Sequence, residues 1–523
     1  MPHLTISRNN KEKYTIKNIN TLKTKSYSKK TIVLLCCLIV AGITSLHAQT
    51  PYSISFSSPS IADAKYYIGQ HFRDQFIVVD SAMAKNKALV FKGKRKIANG
   101  VYTLLDTSKK KIFDFMVDDS RTFSIAYDEK HSNTGMVVKG SKANTLMFEY
   151  MAKLDWANET SRGIVEKRKN PSTKAQADKE MNELSETMKK YEKDYLTNNN
   201  GRLFTKLVKM SSRVDVPTEI PAGSTDTNLA NWQSWYFRSH YWDNVDLKDH
   251  TLIYTPQLFD KMNYYFFGVL YYQESDTITK YANMVLDRVV NDSAMLRYFL
   301  DFITPRYERS TKNIGWDQVF VDLCKDYYLA GRCPWATKAD LYSKSQTVQF
   351  LSQSLIGAMG QELLMADTNQ SPNPEDWISS HALPQKYVML WFWDPDCNHC
   401  KKQTAELIHL YDSLNAAGNK IFEVYAVGYE SDTRKWINYV EKHKLPFINV
   451  GGPNVNIDYQ EAYNVHGAPT MILLNADRQI IMNKTLPTNS VLPFIEQYEQ
   501  RHPEQANRQP SKWQIEGIRR MKH

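Results

Sequence analysis

The chain has 523 residues, is 42% hydrophobic and carries a formal charge of +10. At roughly 100–200 residues per domain this predicts about three domains, and the composition excludes a disordered, collagen-like or small disulfide-stapled chain. The charge sits mostly at the start. The first 48 residues hold eight Lys and Arg against one Glu, and the remainder holds 58 basic against 55 acidic side chains, so a nucleic-acid-binding function loses its main support.

Lys29-Lys30 precede an apolar run from Thr31 to Ile43, and the segment ends on the small residue Ala48. A basic stretch, a short apolar core and a small residue at the break predict a signal peptide over 1–48. Cleavage near Ala48 delivers the chain to the periplasm or cell envelope. An uncleaved anchor is the alternative, because Thr31–Ala48 reaches 18 residues where a spanning helix needs about 20. Four cysteines follow the leader: Cys324, Cys333, Cys397 and Cys400. In an exported chain disulfides persist. For Cys324 and Cys333 a structural disulfide is the favoured reading over two buried thiols.

In chain order, residues 49–142 show short apolar runs such as Tyr52–Phe56, Phe76–Val79, Ala88–Phe91, Val101–Leu105, Ile112–Met116, Thr122–Ala126 and Met136–Val138, separated by turn residues. Such spacing predicts an antiparallel all-β sandwich or barrel-like domain. Residues 143–361 are helical in pattern: Leu146, Tyr150 and Leu154 share one face, and Met181, Leu184, Met188 and Tyr191 mark a long amphipathic helix suited to self-association. Aromatics crowd the later part, at Trp232, Trp235, Tyr236, Tyr241, Trp242 and Tyr264–Phe267; an aromatic stripe at helical spacing reads as core first and as a partner groove second. From 362 to 500 strands alternate with helices around the apolar run Tyr387–Trp393, as in a layered α/β domain. Residues 501–523 form a basic tail. The predicted fold class is therefore multidomain: an N-terminal antiparallel all-β domain, a central mostly α-helical domain and a C-terminal layered α/β domain.

The chemistry is concentrated in Trp391-Phe-Trp-Asp-Pro-Asp-Cys397-Asn-His-Cys400-Lys-Lys. A Cys-x-x-Cys after an apolar strand and at the start of a helix is a dithiol redox pattern. The first sulfur meets the helix N-terminus, which favours the thiolate, and the second lies one turn on. Cys397 is thus the attacking thiol and Cys400 the resolving one. Asn398 and His399 between them tune the couple: an imidazolium there stabilises the reduced form, while Asp394 and Asp396 act in the opposite sense. Half of a zinc site is the bland alternative, but no second ligand pair has the required spacing. Some 70 residues on, Gly467-Ala468-Pro469-Thr470 precedes an apolar strand. A cis-proline at Pro469 would turn the Ala468 backbone to the dithiol and to a substrate strand.

These motifs resemble the TlpA/ResA-like extracytoplasmic branch of the thioredoxin superfamily. The residues before them resemble the exported multidomain thioredoxins of Bacteroidetes-type bacteria, in which an all-β and a helical domain of unknown function come first. His240-Tyr-Trp-Asp-Asn-Val-Asp246 with Leu252–Pro256 carries the helical part of this likeness. Val90–Gly93 and Val138–Ser141 carry the β part. The resemblance implies thiol–disulfide exchange through Cys397 and Cys400, a substrate-facing cis-Pro469, and no cofactor beyond the redox-active Cys397–Cys400 disulfide. It further implies disulfide-containing proteins or small thiols as partners and a membrane thiol-transfer reductase as electron donor. It departs at Gln403, where the family has a proton-accepting Glu. A peroxide-reducing relative needs a Thr at Asp394. The remaining alternative is an envelope binding or scaffold protein in which the dithiol is secondary.

Overall fold

The computed structural model describes residues 51–128, 133–224, 226–308, 313–418, 420–429 and 432–510. The signal expected over 1–48 and the tail beyond 510 lie outside the described residues. Among those described, no helix is long and apolar enough to cross a membrane.

Eight strands open the described chain: β1 Tyr52–Ser57, β2 Lys65–Phe72, β3 Gln75–Met83, β4 Ala88–Gly93, β5 Gly100–Leu105, β6 Lys111–Val117, β7 Thr122–Ala126 and β8 Val137–Lys139. They form two four-stranded sheets, ordered β4-β1-β7-β8 and β3-β2-β5-β6. Strand β2 is missing from the sequence reading because its buried Gln70 and His71 break the apolar alternation. The His71 ring is satisfied inside, with Nε2 3.1 Å from Asp114 Oδ1 and 3.0 Å from Thr103 Oγ1. Residues Tyr52–Ser53 and Lys92–Ile97 cluster among themselves, and the remainder from Ile54 onward forms one unit.

Nine helices then follow among the described residues: α1 Lys142–Arg168, α2 Lys174–Asn198, α3 Leu203–Ser211, α4 Leu229–His240, α5 Pro256–Tyr264, α6 Ser275–Val289, α7 Ser293–Glu308, α8 Trp316–Leu323 and α9 Lys338–Ser352. Ser141 caps α1 by accepting the Asn144 N–H at 3.2 Å. The amphipathic face of α2 turns Tyr191 and Tyr195 to Tyr150 of α1, with ring centroids 5.8 and 4.8 Å apart. Trp232, Tyr241, Trp242, Tyr265 and Phe266 are buried core, while Trp235 and Tyr264 remain exposed. Cys324 and Cys333 stand unbridged in this structure. Cys324 opens a π-helical turn over Cys324–Leu329 and Cys333 follows the turn at Gly331. Both are buried, and burial pushes each thiol up to about 12. They fill the helical core as small apolar side chains.

The last part is a seven-stranded sheet of β9 Leu364–Asp367, β10 Ile378–Ser379, β11 Tyr387–Trp393, β12 Phe422–Gly428, β13 Ile448–Val455, β14 Thr470–Leu474 and β15 Ile480–Met482. Its order is β10-β9-β13-β12-β11-β14-β15, with β11 parallel to β12 and antiparallel to β14. Helices α10 Asn398–Ala416, α11 Thr433–His443, α12 Tyr459–Ala462, α13 Val491–Arg501 and α14 Pro503–Ala506 accompany it. Every residue of β11 is buried. Tyr387, Met389, Trp391 and Trp393 pack with Leu407, Trp436 and Ile495 on one face. Val388, Leu390 and Phe392 pack with Met365 and Tyr463 on the other. Gly428 at the end of β12 lets the Trp436 indole approach, since a Cβ there would lie 2.5 Å from its Nε1. Helix α12 is a single turn, and β9 and β10 are too short to read as apolar runs. The basic tail begins docked: Ala506 O accepts from Lys386 Nζ at 2.6 Å, and Arg508 pairs with Asp477 at 2.8 Å.

Arg478, in the turn between β14 and β15, is fully buried. Its guanidinium donates to the carbonyls of His381, Leu383, Gln385, Lys386 and Asn475, which ties the segment leading into β11 to the far side of the sheet. Burial brings the guanidinium down to about 10. Replacing Arg478 by Met strips donors from these carbonyls and is expected to cost about 3–5 kcal/mol in denaturant unfolding. Arg478→Lys should recover only part of this, because one ammonium has three donors. A cost below about 1 kcal/mol for Arg478→Met would show that the carbonyls find other partners.

Candidate functional site

The strand β11 ends at Trp393, and a tight turn carries the chain into α10. The Asp394 carbonyl accepts the Cys397 N–H at 3.1 Å, and Asp394 Oδ1 accepts the Asp396 N–H at 2.6 Å. Asp396 forms an ion pair with Lys435 of α11, so one of the two carboxylates flanking the dithiol has a local counter-charge. Cys397 occupies the N-cap of α10, and its Sγ accepts the Cys400 N–H at 3.1 Å. The sulfur thus stands where unpaired helix N–H groups and the helix dipole meet negative charge.

Cys400 lies one turn on and is fully buried against Trp391 and Trp393 in the same core. Burial, followed by the hydrogen bond with Cys397, pushes its thiol up to about 12. Cys397 is half-buried. The two sulfurs therefore differ in access: one is presented to solvent at a helix end, and the other is held back in the core as a thiol.

Pairing of β14 with β11 brings in the second motif. Thr470 is opposite Phe392, so the residues just before Thr470 stand beside those just after Trp393. The Ala468–Pro469 peptide is cis, and the Ala468 carbonyl accepts from Cys397 Sγ at 3.7 Å. Thr470 Oγ1 donates to the Gly467 carbonyl at 2.7 Å, closing the loop on itself. A residue with no signature of its own in the sequence completes it. Thr485 Oγ1 accepts the Met471 N–H at 3.1 Å and donates to the Pro469 carbonyl at 3.2 Å. Thr485 lies in an irregular segment, and only the folded sheet reveals its partners.

Asn398 and His399 are exposed on the first turn of α10. His399 lines a cleft of about 770 Å³ with Gln403, Glu406 and His409 on one side and residues 485–489 on the other. Gln403 uses its Nε2 to donate to the Leu486 carbonyl at 2.6 Å. It serves as a tether to that loop, and this is the position where a proton-accepting Glu was expected by family resemblance. Among the described residues no group of three or more His, Cys, Asp and Glu is placed to hold a metal ion.

Three family descriptions match the chain: thioredoxin-like over 385–480, and domains of unknown function, DUF5106 and DUF4369, over 169–341 and 52–147. None of the curated proteins matches. Among solved structures, a thioredoxin-like protein from Bacteroides caccae is 16% identical, covers 54% of this chain and 98% of its own, and gives a TM-score of 0.42. A domain of a possible thiol-disulfide isomerase from Cytophaga hutchinsonii is 24% identical over 29% of this chain and 97% of its own, with a TM-score of 0.25. StoA from Bacillus subtilis is 18% identical over 26% and 97%, with a TM-score of 0.21. The family matches and the geometry above, rather than these backbone likenesses, assign the regions. Residues 385–480 are a thioredoxin-like domain, borne by a chain whose earlier parts are a β domain and a helical domain of families with unknown function.

Proposed function

We propose that the protein is a thiol–disulfide oxidoreductase of the cell envelope that reduces disulfides through Cys397 and Cys400. The observation that carries this reading is the Cys397 sulfur at the N-cap of α10, 3.1 Å from the Cys400 N–H and 3.7 Å from the Ala468 carbonyl before a cis-proline. In this scheme the Cys397 thiolate attacks one sulfur of a substrate disulfide. That S–S bond breaks, one substrate thiolate leaves, and a mixed disulfide forms. Cys400, losing its proton to solvent, then attacks Cys397 Sγ. The second substrate thiol is released and the Cys397–Cys400 disulfide remains. A membrane thiol-transfer reductase returns two electrons and two protons. The leader over 1–48 supports export, and disulfide-containing proteins or small thiols are the partners this site would meet.

The buried thiol orders the two steps. The hydrogen bond and the charge of Cys397 both hold Cys400 protonated, after burial itself. Once Cys397 is tied in a mixed disulfide these two smaller influences vanish, which eases ionisation of Cys400 at the resolving step while burial still opposes it. The tether of Gln403 to Leu486 leaves no carboxylate at the position three residues after Cys400.

Cys397→Ser is expected to abolish reduction of insulin disulfides, and Cys400→Ser to accumulate a mixed disulfide visible on a non-reducing gel. Equal residual turnover in both variants would remove the exchange reading. A glutathione titration should place the couple near or below about −250 mV, and a value of about −120 to −180 mV would reverse the direction to oxidation.

Resolution should also speed up with pH. Cys400 reacts only as the thiolate, and below its raised pKa each pH unit gives up to about a tenfold larger thiolate fraction. Stopped-flow release of the second thiol from a preformed mixed disulfide measures this, and a flat profile across the neutral range would mean that another group takes the proton.

A further inference from the structure

The loop that carries the cis-proline is held from outside its own strand. Thr485 uses one hydroxyl for two contacts, accepting from the Met471 N–H and donating to the Pro469 carbonyl. These flank Thr470, the residue that starts β14 opposite Phe392. One hydroxyl oxygen thereby fixes the backbone on both sides of the point where the loop enters the sheet. The Ala468 carbonyl, one residue further, faces Cys397 Sγ.

Thr485 is itself anchored through its neighbours, and the anchor lies in the helical region. Lys484 Nζ reaches Asp317 Oδ2 of α8 at 3.2 Å, and Asn483 Nδ2 donates to the same oxygen at 2.8 Å. Asn483 also donates to the Ser354 carbonyl, just past α9, at 2.9 Å. The Asp317 carboxylate is buried, with a side-chain exposure of 2%, and Lys484 is at 16%. A pair so shielded is screened little by salt and is costly to break from one side. On the other flank of the loop, the Phe350 ring of α9 lies 5.2 Å from the His466 ring. Two contacts from the helical region thus bracket the segment from His466 to Thr485 that presents Ala468 and Pro469.

We propose that Thr485 is a positioning residue for thiol–disulfide exchange, acting on the cis-proline loop, and that the buried Asp317–Lys484 pair holds it in place from the helical region. The proposal rests on the exchange reading above and adds a role for the helical region in it. An extended substrate segment pairing with the Ala468 backbone would find its partner atoms pre-set relative to Cys397. Without the Thr485 hydroxyl the loop retains its proline but not its register against β11. The groups facing Thr485 are backbone N–H and carbonyl, so a side chain of the same shape without a hydroxyl removes the hold while keeping the volume.

The test uses the full chain and insulin as the disulfide probe. Thr485→Val should lower kcat/KM about tenfold, the size expected for loss of a partly buried hydrogen bond, with most of the change in KM. Thr485→Ser, which keeps the oxygen, should return to within about twofold of the parent. Asp317→Asn, which removes the charge opposite Lys484, should fall in the same direction as Thr485→Val. Equal impairment of Thr485→Ser and Thr485→Val would mean that packing alone is lost, and an unimpaired Thr485→Val would mean that the loop needs no hold; either overturns the proposal. Thermal unfolding midpoints of the two Thr485 variants, expected to agree closely, separate a local effect from a failure to fold, and a Thr485→Val loss matched by a lower midpoint also overturns it. Failure of the underlying reading shows separately, as a parent chain whose insulin reduction does not depend on Cys397.

Discussion

Everything at the site depends on a strand that is buried on both faces. Side chains of β11 alternate between two apolar layers, and β12 and β14 take its backbone hydrogen bonds. Such a strand has no freedom of register, since a one-residue slip would exchange the two layers. Its end at Trp393 is therefore fixed in space, and the tight Asp394–Cys397 turn starts α10 from that fixed point. The N-cap position of Cys397 is a consequence of this geometry. So is the neighbourhood of Ala468, because β14 pairs with the same strand in the opposite direction. Two motifs some 70 residues apart meet because each is attached to the end of a strand at the centre of one sheet.

The asymmetry of the two sulfurs follows from the same placement. One helical turn carries the chain from the open end of the sheet into its core, so three residues suffice to take a sulfur from half-buried to fully buried. Desolvation acts on the inner sulfur first and most strongly. A pair in which both thiols ionised together would gain nothing from the spacing. Here burial holds the inner thiol protonated, and Gln403 leaves no carboxylate at the position three residues on.

Much of this was legible in the residues and some was not. The dithiol, the apolar strand before it and the Gly-Ala-Pro-Thr segment are local patterns, and the structure brings them within hydrogen-bonding range of one another. The alternation of short strands marked a β region, but β2 escaped because Gln70 and His71 are buried, His71 for its hydrogen bonds to Thr103 and Asp114 on other strands, which no local window contains. Cys324 and Cys333 contribute core volume around a π-helical turn, a backbone feature with no sequence signature of its own. Arg478 and Thr485 were invisible for a common reason. Each is polar, sits in a turn or irregular segment, and acquires its role only from backbone atoms delivered by distant parts of the chain.

Those two residues also describe how the thioredoxin-like sheet is bounded. Beyond β15 the backbone of 357–360 continues the pairing: Gly357 N–H donates to Ile480 O and Ile480 N–H to Ala358 O, both at 2.8 Å, and Gly360 N–H donates to Arg478 O at 2.9 Å. An edge strand left open invites pairing with other chains, and here the segment leaving the helical region occupies it. Arg478 secures the same corner from inside, through the carbonyls of 381–386. The sheet is thereby closed on the side of β15 by the chain's own connection, while Asp317 and Lys484 close the adjoining loop. The helical region thus covers one flank of the sheet that carries Cys397 as well as preceding it in the chain.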